Sequence, residues 1–333
     1  MGMNAKPIEK QRPALRLVST KGLSRDEWLR VRKQGIGSSD AAAAVGMNPY
    51  QSQLELWMVK TGRDAGLPKP DSDDPSSPVY WGHILEPIVA DQYSQQTGRK
   101  VRRVNAVLQH PDPDKHWMLA NLDYSVVADE EVQILECKTA GEFGSRLWKE
   151  GVPDYIQCQV QHQLAVTGKQ AADVCVLLCG QELKIHRVER NEELIEALYV
   201  LEQQFWDFVE TDTPPPTDGT ESAERALRSL YPRDTGQTID LTPSKDLSDA
   251  FDELLAVRAQ IETLGATESH LKQRIQSQMG EASRAIFPSG CVTWKRSKDS
   301  VGLDVKKLLN DQPELLDMYP LTKSGSRRFL VQA

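Results

Sequence analysis

The sequence predicts a mixed α/β domain followed by a smaller, mostly helical module. Within residues 1–212, helical patterns alternate with strand patterns, which is typical of a central sheet flanked by helices. Residues 213–222 are rich in proline and polar residues, so we expect a linker there. Residues 223–333 show a heptad pattern and then a hairpin pattern, which predicts an accessory helical module with a small β-hairpin.

Helices are predicted from capping residues and apolar spacing. Ser24 can cap the first helix within residues 24–62, and Gly46 ends the segment SSDAAAAVG. Residues 63–79, with four prolines and several Asp and Ser, are predicted to be a loop. The later helices of the domain are predicted at 81–96, 153–167 and 191–211.

Strand patterns fill the segments between these helices. They are predicted at 101–109, 116–127, 131–138, 172–180 and 183–190. In the module, two heptad positions are apolar except at Glu268: Leu247, Leu254, Ile261 and Ile275 at one, and Ala250, Val257, Leu264 and Leu271 at the other. This coiled-coil seam can pair within the chain, through a helix at 220–231, or with another subunit or protein. A hairpin turning at 288–290 follows it.

Composition limits the compartment. The five cysteines include no CxxC pair and no spacing typical of disulfides or zinc, which favours a reducing cytoplasm. No run approaches the roughly 20 apolar residues of a membrane span. The first thirty residues lack the apolar centre of a signal peptide. We therefore expect a cytoplasmic protein, in a bacterial host or encoded by a phage, with no membrane partner.

Charge is unevenly distributed along a chain whose net charge is -8. Residues 1–40 carry nine Lys or Arg against four Asp or Glu, and Arg99, Lys100, Arg102 and Arg103 form a second basic cluster. Local charge matters more than the sum for a nucleic-acid partner. Each cluster taken alone is also explained by a solvated basic surface.

The strand VQILECK carries the most informative side chains. Because side chains alternate along a strand, Glu136 and Lys138 share one face. The turn ADEE makes the two strands antiparallel and brings Asp123 near Glu136. Two converging carboxylates indicate a divalent cation with oxygen ligands, usually Mg²⁺. Lys138 could orient water or stabilise a phosphorane-like transition state, whereas the alternative is a salt bridge with Glu136 on an exposed strand face.

Five motifs, in order, strengthen the nuclease hypothesis. They are WLRVRKQGIGSSDAAAAVG, WGHILEP, ANLDYS, LECK and IQCQVQHQLAVTG. Together they resemble the PD-(D/E)xK restriction-endonuclease-like core and, over residues 20–212, the YqaJ-type viral recombinase (lambda exonuclease) family. Departures from that pattern are Leu122 in place of the eponymous proline, Tyr124 where glycine is frequent, and Gly37 in place of a hydroxyl residue.

The resemblance implies a metal site and a set of catalytic side chains. The implied metal ligands are Asp123, Glu136, the backbone carbonyl of Cys137, and Glu86. The implied catalytic residues are Asp123, Glu136, Lys138, Glu86 and Gln159. The expected cofactor is Mg²⁺, as two ions, with Mn²⁺ as an alternative. A solvent-facing helix residue is the competing interpretation of Glu86, and it is the preferred interpretation of Gln163.

The amino-terminal motif implies a site for the 5′-phosphate of DNA. Arg32 matches the family's phosphate-binding arginine, and Ser38 and Ser39 begin a helix whose free N–H groups could bind an anion. Helix capping alone would also explain the two serines. Gly37 lacks a hydroxyl that the family uses, which removes one phosphate contact.

The implied function is a Mg²⁺-dependent exonuclease that degrades the 5′-ended strand of duplex DNA and leaves a 3′ overhang for recombination. The implied partners are double-stranded DNA ends, a single-strand annealing protein and further copies of the chain in a ring-shaped trimer. Three alternatives remain: an endonuclease or single-strand nuclease with the same core, a non-catalytic DNA-end-binding adaptor, and a scaffold built on the coiled-coil module. Intact Asp123, Glu136 and Lys138 disfavour the adaptor.

Overall fold

The computed structural model describes residues 13–69, 73–323 and 325–332. The first twelve residues, which carry part of the predicted basic segment, lie outside the described residues, as does the part of the predicted loop at 70–72. Contacts divide the chain into two compact units, Met1–Tyr231 and Pro232–Ala333.

The first unit contains the predicted mixture of helices and strands. Its described helices are α1 (Arg25–Arg32), α2 (Ala41–Ala44), α3 (Gln53–Lys60), α4 (Pro78–Thr97), α5 (Glu142–Ser145), α6 (Asp154–Thr167), α7 (Glu192–Glu210) and α8 (Glu221–Leu230). Its described strands are β1 (Leu15–Ser19), β2 (Val101–Arg103), β3 (Ala106–Gln109), β4 (Leu119–Asn121), β5 (Tyr124–Val126), β6 (Ile134–Ala140), β7 (Ala171–Leu178) and β8 (Glu182–Glu189).

The central sheet is mixed, as the sequence predicts. Its five strands have the order β2-β5-β6-β7-β8, in which β6 and β7 are parallel and the other neighbours are antiparallel. The parallel pair is connected through α6, because parallel neighbours need a crossover rather than a tight turn. A three-stranded antiparallel sheet, β1-β3-β4, lies beside it in the first unit.

Helices cover both faces of the central sheet. On one face, Val89 and Tyr93 of α4 pack in a cluster with Leu135 of β6. On the other face, Val160 and Leu164 of α6 pack in a cluster with β6 and β7. Because side chains alternate along β6, successive residues face different helices. The even-numbered residues of β6 face α6.

Two predicted strands are each divided in the structure. The segment 101–109 forms β2 and β3, which belong to different sheets because the chain changes partners at Val104 and Asn105. The segment 116–127 likewise forms β4 and β5. Strand β1, whose residues are mostly exposed, was not predicted, since its short pattern lacks a clear buried face.

Helix α8 packs within the first unit although it follows the predicted linker. Ser222 is buried, accepts a hydrogen bond from the backbone N–H of Ser52 at 2.8 Å, and donates one to Glu55 at 2.7 Å. Arg225 also donates to Glu55, at 2.8 Å. The contact boundary therefore falls after Tyr231, later than the segment 213–222, and α8 uses its buried face against α3.

The second unit contains a long helix, a hairpin and two short helices. Its described elements are α9 (Lys245–Met279), β9 (Arg284–Phe287), β10 (Gly290–Thr293), α10 (Val305–Asp311) and α11 (Glu314–Met318). The antiparallel β9–β10 pair confirms the predicted hairpin. Seam residues of α9 are exposed, with 63% for Ile261 and 67% for Leu264, so the coiled coil stays a prediction.

Two features of the described part of the chain concern membranes and disulfides. There, none of the helices has both the length and the apolarity needed to cross a membrane. The five cysteines, all of them described, are free thiols.

Candidate active site

Glu136 lies on β6 and is buried beneath α6, with 2% of its surface exposed. Its Oε1 accepts hydrogen bonds from Lys138 Nζ at 2.7 Å and from Gln159 Nε2 at 2.5 Å. Its Oε2 accepts one from Gln163 Nε2 at 2.7 Å. An ammonium and two amides thus hold one buried carboxylate, which offsets the cost of removing that charge from water.

Lys138 connects the strand to the helix. Its Nζ also donates a hydrogen bond to Gln159 Oε1 at 3.0 Å. Burial lowers the pKa of Lys138, but the carboxylates of Glu136 and Asp123 outweigh this effect and raise its pKa above the ordinary value. Lys138 is therefore a fixed positive charge. The salt bridge considered from the sequence is present, but Glu136 is buried rather than on an exposed strand face.

Asp123 lies opposite Glu136, as the strand pattern predicts. Because Tyr124 pairs with Leu135 in the antiparallel register, the preceding residue meets Glu136 across the two strands. Asp123 Oδ2 accepts a hydrogen bond from the backbone N–H of Cys137 at 2.8 Å. Burial raises the pKa of Asp123, and the neighbouring charge of Glu136 raises this pKa further. A cation between the two groups would relieve that repulsion.

Glu86 brings a third carboxylate to this region from α4. Its Oε1 lies 3.0 Å from Arg103 Nη2, yet without the alignment of a hydrogen bond, and this buried oxygen has no hydrogen-bond partner among the described residues. Burial raises the pKa of Glu86, and Arg103 only partly offsets that effect. The side chain is mostly buried, so Glu86 is not the solvent-facing helix residue considered from the sequence.

The residues around Glu136 have the chemistry of a hard-cation site. Among the described residues, no three His, Cys, Asp or Glu side chains already converge closely enough to form a complete metal site. The charge of Glu136 nevertheless adds to burial in raising the pKa values of both Asp123 and Glu86. Among the described residues, Oε1 of Glu86 and Oε1 of Gln163 are buried acceptors without hydrogen-bond partners. Charged oxygens and unpaired acceptors fit a divalent cation such as Mg²⁺.

The structure corrects the interpretation of Gln163. We expected a polar residue on the helix surface, but its side chain is fully buried and donates to Glu136. Gln159 is also buried and lies one turn earlier on α6. The apolar residues of α6, Ile156, Val160 and Leu164, predicted burial of only one face of the helix. Two glutamines four residues apart, on a helix predicted to pack on the sheet, were the available signal for this second buried face.

Sequence reasoning also missed a buried ion pair on α6. His162 Nδ1 lies 2.8 Å from Glu202 Oε1 on α7, and His162 Nε2 lies 2.9 Å from the backbone carbonyl of Leu119. Burial lowers the pKa of His162, but Glu202 outweighs it and raises that pKa. Both ring nitrogens face acceptors, so the imidazolium form is favoured. The pair fixes α6 between β4 and α7.

The residues predicted to bind a 5′-phosphate form a second charged cluster. Arg32 Nη2 donates to Ser39 Oγ at 2.9 Å and to Asp40 Oδ1 at 2.5 Å. Lys60 Nζ donates to Asp40 Oδ2 at 2.6 Å. The hydroxyl of Ser38 is buried and, within the described part of the chain, has no hydrogen-bond partner. Arg32, Ser38 and Ser39 therefore lie together, with Asp40 and Lys60 as members that the sequence did not identify.

Asp40 organises this cluster. Its Oδ2 also accepts the backbone N–H of Gly37 at 3.0 Å, so the aspartate, rather than either serine, caps this turn. Burial raises the pKa of Asp40, but Arg32 and Lys60 outweigh it and lower the pKa to about 2. The local structure is a 3-10 turn followed by the four-residue α2, not the longer helix expected from SSDAAAAVG. An Asp directly after two serines was the available capping signal.

Trp28 connects the two clusters. The guanidinium of Arg32 lies over its ring, 4.8 Å from the ring centroid. Trp28 also lines a cavity of about 350 Å³ together with Glu86, Arg103 and Asp123. A separate cavity of about 440 Å³ is lined by the side chains around Arg32. The predicted phosphate site and the predicted metal site are thus neighbours in one unit.

Comparisons with known proteins give the family relationship. The YqaJ-like viral recombinase domain matches residues 27–170. The YqaJ protein of Bacillus subtilis (strain 168) is 33% identical over 323 residues, which cover 95% of this chain and 97% of that protein. The matched domain includes every residue predicted for the metal and phosphate sites.

Two exonucleases are among the solved structures to which the chain is similar over part of its length. The alkaline exonuclease of Laribacter hongkongensis is 23% identical, with a TM-score of 0.44, covering 56% of this chain and 93% of that one. A phage-related exonuclease from Haemophilus somnus is 10% identical, with a TM-score of 0.41, covering 56% of this chain and 99% of that one. From the extent and identity of the match to its Bacillus relative, the chain belongs to the YqaJ-like viral recombinase family.

Proposed function

We propose that this chain is a Mg²⁺-dependent 5′-to-3′ exonuclease that acts on double-stranded DNA ends and leaves 3′ overhangs for recombination. Membership of a viral recombinase family supports the biological setting. The observation that carries the chemistry is the arrangement of Glu136, Asp123 and Glu86 around one lysine, Lys138. Carboxylates for a metal and a fixed ammonium are the groups that phosphodiester hydrolysis needs.

Asp123, Glu136, Glu86 and the backbone carbonyl of Cys137 would hold the metal, with two Mg²⁺ ions proposed and Mn²⁺ as an alternative. All are oxygen ligands, which suits a hard cation. Asp123 and Cys137 are already fixed to each other by a hydrogen bond of 2.8 Å. A bound Mg²⁺ would polarise the scissile phosphate and lower the pKa of a coordinated water.

Lys138 and Gln159 would position the attacking water. Their mutual hydrogen bond of 3.0 Å orients the ammonium and the amide toward the same carboxylate, Glu136. Lys138 stays protonated because its pKa is raised, so it serves as a donor and not as a general base. It would hold the water by one N–H and stabilise negative charge on the phosphate oxygens in the transition state.

Arg32, Ser38 and Ser39 would bind the terminal 5′-phosphate. A guanidinium presents two parallel donors to a phosphate, and Ser39 Oγ already accepts a hydrogen bond from Arg32 Nη2. The unpartnered hydroxyl of Ser38 adds a further donor. With Trp28 between this cluster and Asp123, a strand gripped by its terminal phosphate would present a nearby phosphodiester to the carboxylates.

The remaining proposals follow from the family relationship. We propose nuclease activity for residues 1–212, a connecting role for 213–222 and an accessory role for 223–333. We further propose assembly into a ring-shaped trimer, a single-strand annealing protein as partner, and a location in the cytoplasm. A ring would keep the enzyme on one duplex, and an annealing protein would use the exposed 3′ strand.

Strand-labelled duplexes test the proposal. Linear duplex with label on the 5′ or the 3′ end is incubated with Mg²⁺, and with chelator. The expected result is immediate release of the 5′ label in Mg²⁺ only, with the 3′ label retained in long strands. Lys138→Ala should lower the rate by about 10²–10³, the cost of losing one preorganised donor.

Matched variants make the test specific. Lys184→Ala removes a half-exposed lysine from β8 of the same sheet and should leave the rate unchanged. Early release of the 3′ label would contradict the polarity. Equal rates in Mg²⁺ and in excess chelator would contradict the metal-dependent mechanism.

A further inference from the structure

The β9–β10 hairpin of the second unit displays side chains that a small core would normally bury. Its strands pair from Arg284 with Thr293 to Phe287 with Gly290. Phe287 and Trp294 remain 41% and 48% exposed. An isolated two-stranded hairpin gains little stability from such exposure, so these aromatic faces are available for another molecule.

The hairpin is also strongly basic within an acidic chain. Residues 282–298 contain four basic residues and no Asp or Glu, whereas the net charge of the chain is -8. The basic residues are Arg284, Lys295, Arg296 and Lys298. Arg296 pairs with Asp299 at 2.7 Å, but both side chains are highly exposed, so a stronger anion can replace that contact at little cost.

A groove lies between the hairpin and the end of α9. It has a volume of about 780 Å³. Its apolar lining includes Ile275, Ile286 and Phe287. Among the described residues that line it, the charged ones are Arg274 and Arg284, and none is an Asp or Glu. The groove therefore offers apolar contact and positive charge together.

We propose that the surface formed by the β9–β10 hairpin, residues 294–298 and this groove binds single-stranded DNA. Cations spaced along a short segment of chain match the repeating phosphates of a nucleic acid, and exposed aromatic rings stack on bases. Duplex DNA keeps its bases stacked inside, so Phe287 and Trp294 favour an unpaired strand. The inference rests on the proposed function for the origin of that strand, the 3′-ended product.

Binding of oligo-dT to the full-length protein in chelator tests this inference without any cleavage. An oligonucleotide of about 20 nucleotides is long enough, because a single-strand site covers roughly 4–16 nucleotides. Lys295→Ala/Lys298→Ala should lower its affinity and reduce the slope of log K against log salt by about 1.4, at 0.7 per lost phosphate contact. Lys306→Ala/Lys307→Ala removes the same charge from the α10 region and should change neither.

The aromatic contact has its own variants. Trp294→Ala should weaken oligo-dT binding about 5- to 150-fold, the range for loss of one stacked base, and Trp294→Phe should retain most of the affinity. Unchanged affinity in both Trp294→Ala and Lys295→Ala/Lys298→Ala would overturn the inference. Binding of a poly-glutamate peptide to the same variants is a second measurement. If the variants lose affinity for the peptide but keep their affinity for oligo-dT, the surface is a peptide site and the inference is overturned.

Failure of the proposed exonuclease can be distinguished from failure of this inference. The hairpin variants are also assayed for release of a 5′ label from duplex DNA. Loss of oligo-dT affinity with initial cleavage retained supports the inference. The same loss in a protein that never cleaves DNA still supports a single-strand-binding surface, and it refutes only the proposed origin of the strand.

Discussion

Glu136 and Asp40 are both buried carboxylates that accept three hydrogen bonds, but the number of cations that contact them differs. Asp40 has two cations as partners, Arg32 and Lys60. Glu136 has one cation, Lys138, and two amides. The same side-chain chemistry therefore appears in two different electrostatic settings.

The difference is reflected in the pKa values. Arg32 and Lys60 lower the pKa of Asp40 to about 2, although burial opposes them. Burial and Glu136 raise the pKa of Asp123 in the other cluster. The first cluster has two cations and one carboxylate, an excess of positive charge that suits a phosphate. The second has an excess of carboxylates that suits a metal ion.

Removing Asp40 should produce the largest loss of stability. Asp40→Ala leaves Lys60 buried without its counter-ion, and breaking a buried pair in this way costs about 3–5 kcal/mol. Urea unfolding of the variant and of wild type measures the difference. The double variant Asp40→Asn/Lys60→Met should recover part of the loss, because it removes both charges. A free energy of unfolding unchanged in Asp40→Ala would show that Lys60 is not held by Asp40.

Replacing Arg32 should affect phosphorylated ends selectively. Arg32→Ala removes a charged hydrogen-bond donor, worth about 1.5–3 kcal/mol, so digestion of 5′-phosphorylated duplex should slow about 10- to 100-fold. Digestion of 5′-hydroxyl duplex should change much less. Arg30→Ala, on the same helix, is the matched control. An equal reduction on both substrates would show that Arg32 does not recognise the phosphate.

The pH dependence of stability should show a smaller effect of Asp40. Its folded pKa of about 2 lies below the ordinary value of 3.8 for an Asp side chain, so its contribution is present above pH 3.8 and is lost as pH falls through about 2. This shift corresponds to about 2 kcal/mol. The difference in unfolding free energy between wild type and Asp40→Asn should therefore shrink as the pH of denaturant titrations is lowered from about 5 toward 2. A constant difference would contradict the assigned pKa shift.

The sequence predicts the strand half of the metal site because strand geometry is local. Alternation along β6 and a short turn bring Asp123 opposite Glu136, as the register confirms. The motif order likewise predicts a helix that carries Glu86 and a helix that carries Gln159. These features depend on neighbouring residues in the chain.

The partners of Asp40 and the burial of Gln163 depend on packing between distant elements. Lys60 lies on α3, twenty residues after Asp40, and no local pattern orients the two helical segments. Gln163 is buried because α6 packs on the strands that carry Glu136 and Asn121, to which its amide donates, and the spacing of apolar residues along α6 does not identify that contact. The split of the strand pattern at 101–109 has the same origin, a change of partner strand.

Titration with Mn²⁺, followed by the loss of its free-ion EPR signal, tests the contrast between the two carboxylate clusters most directly. The central claim is that Asp123 and Glu136 attract a metal ion whereas Asp40 does not. Wild type and Asp40→Asn should bind Mn²⁺ with the same affinity, and Asp123→Asn/Glu136→Gln should lose that binding while remaining folded. Unchanged Mn²⁺ binding in Asp123→Asn/Glu136→Gln would contradict the account.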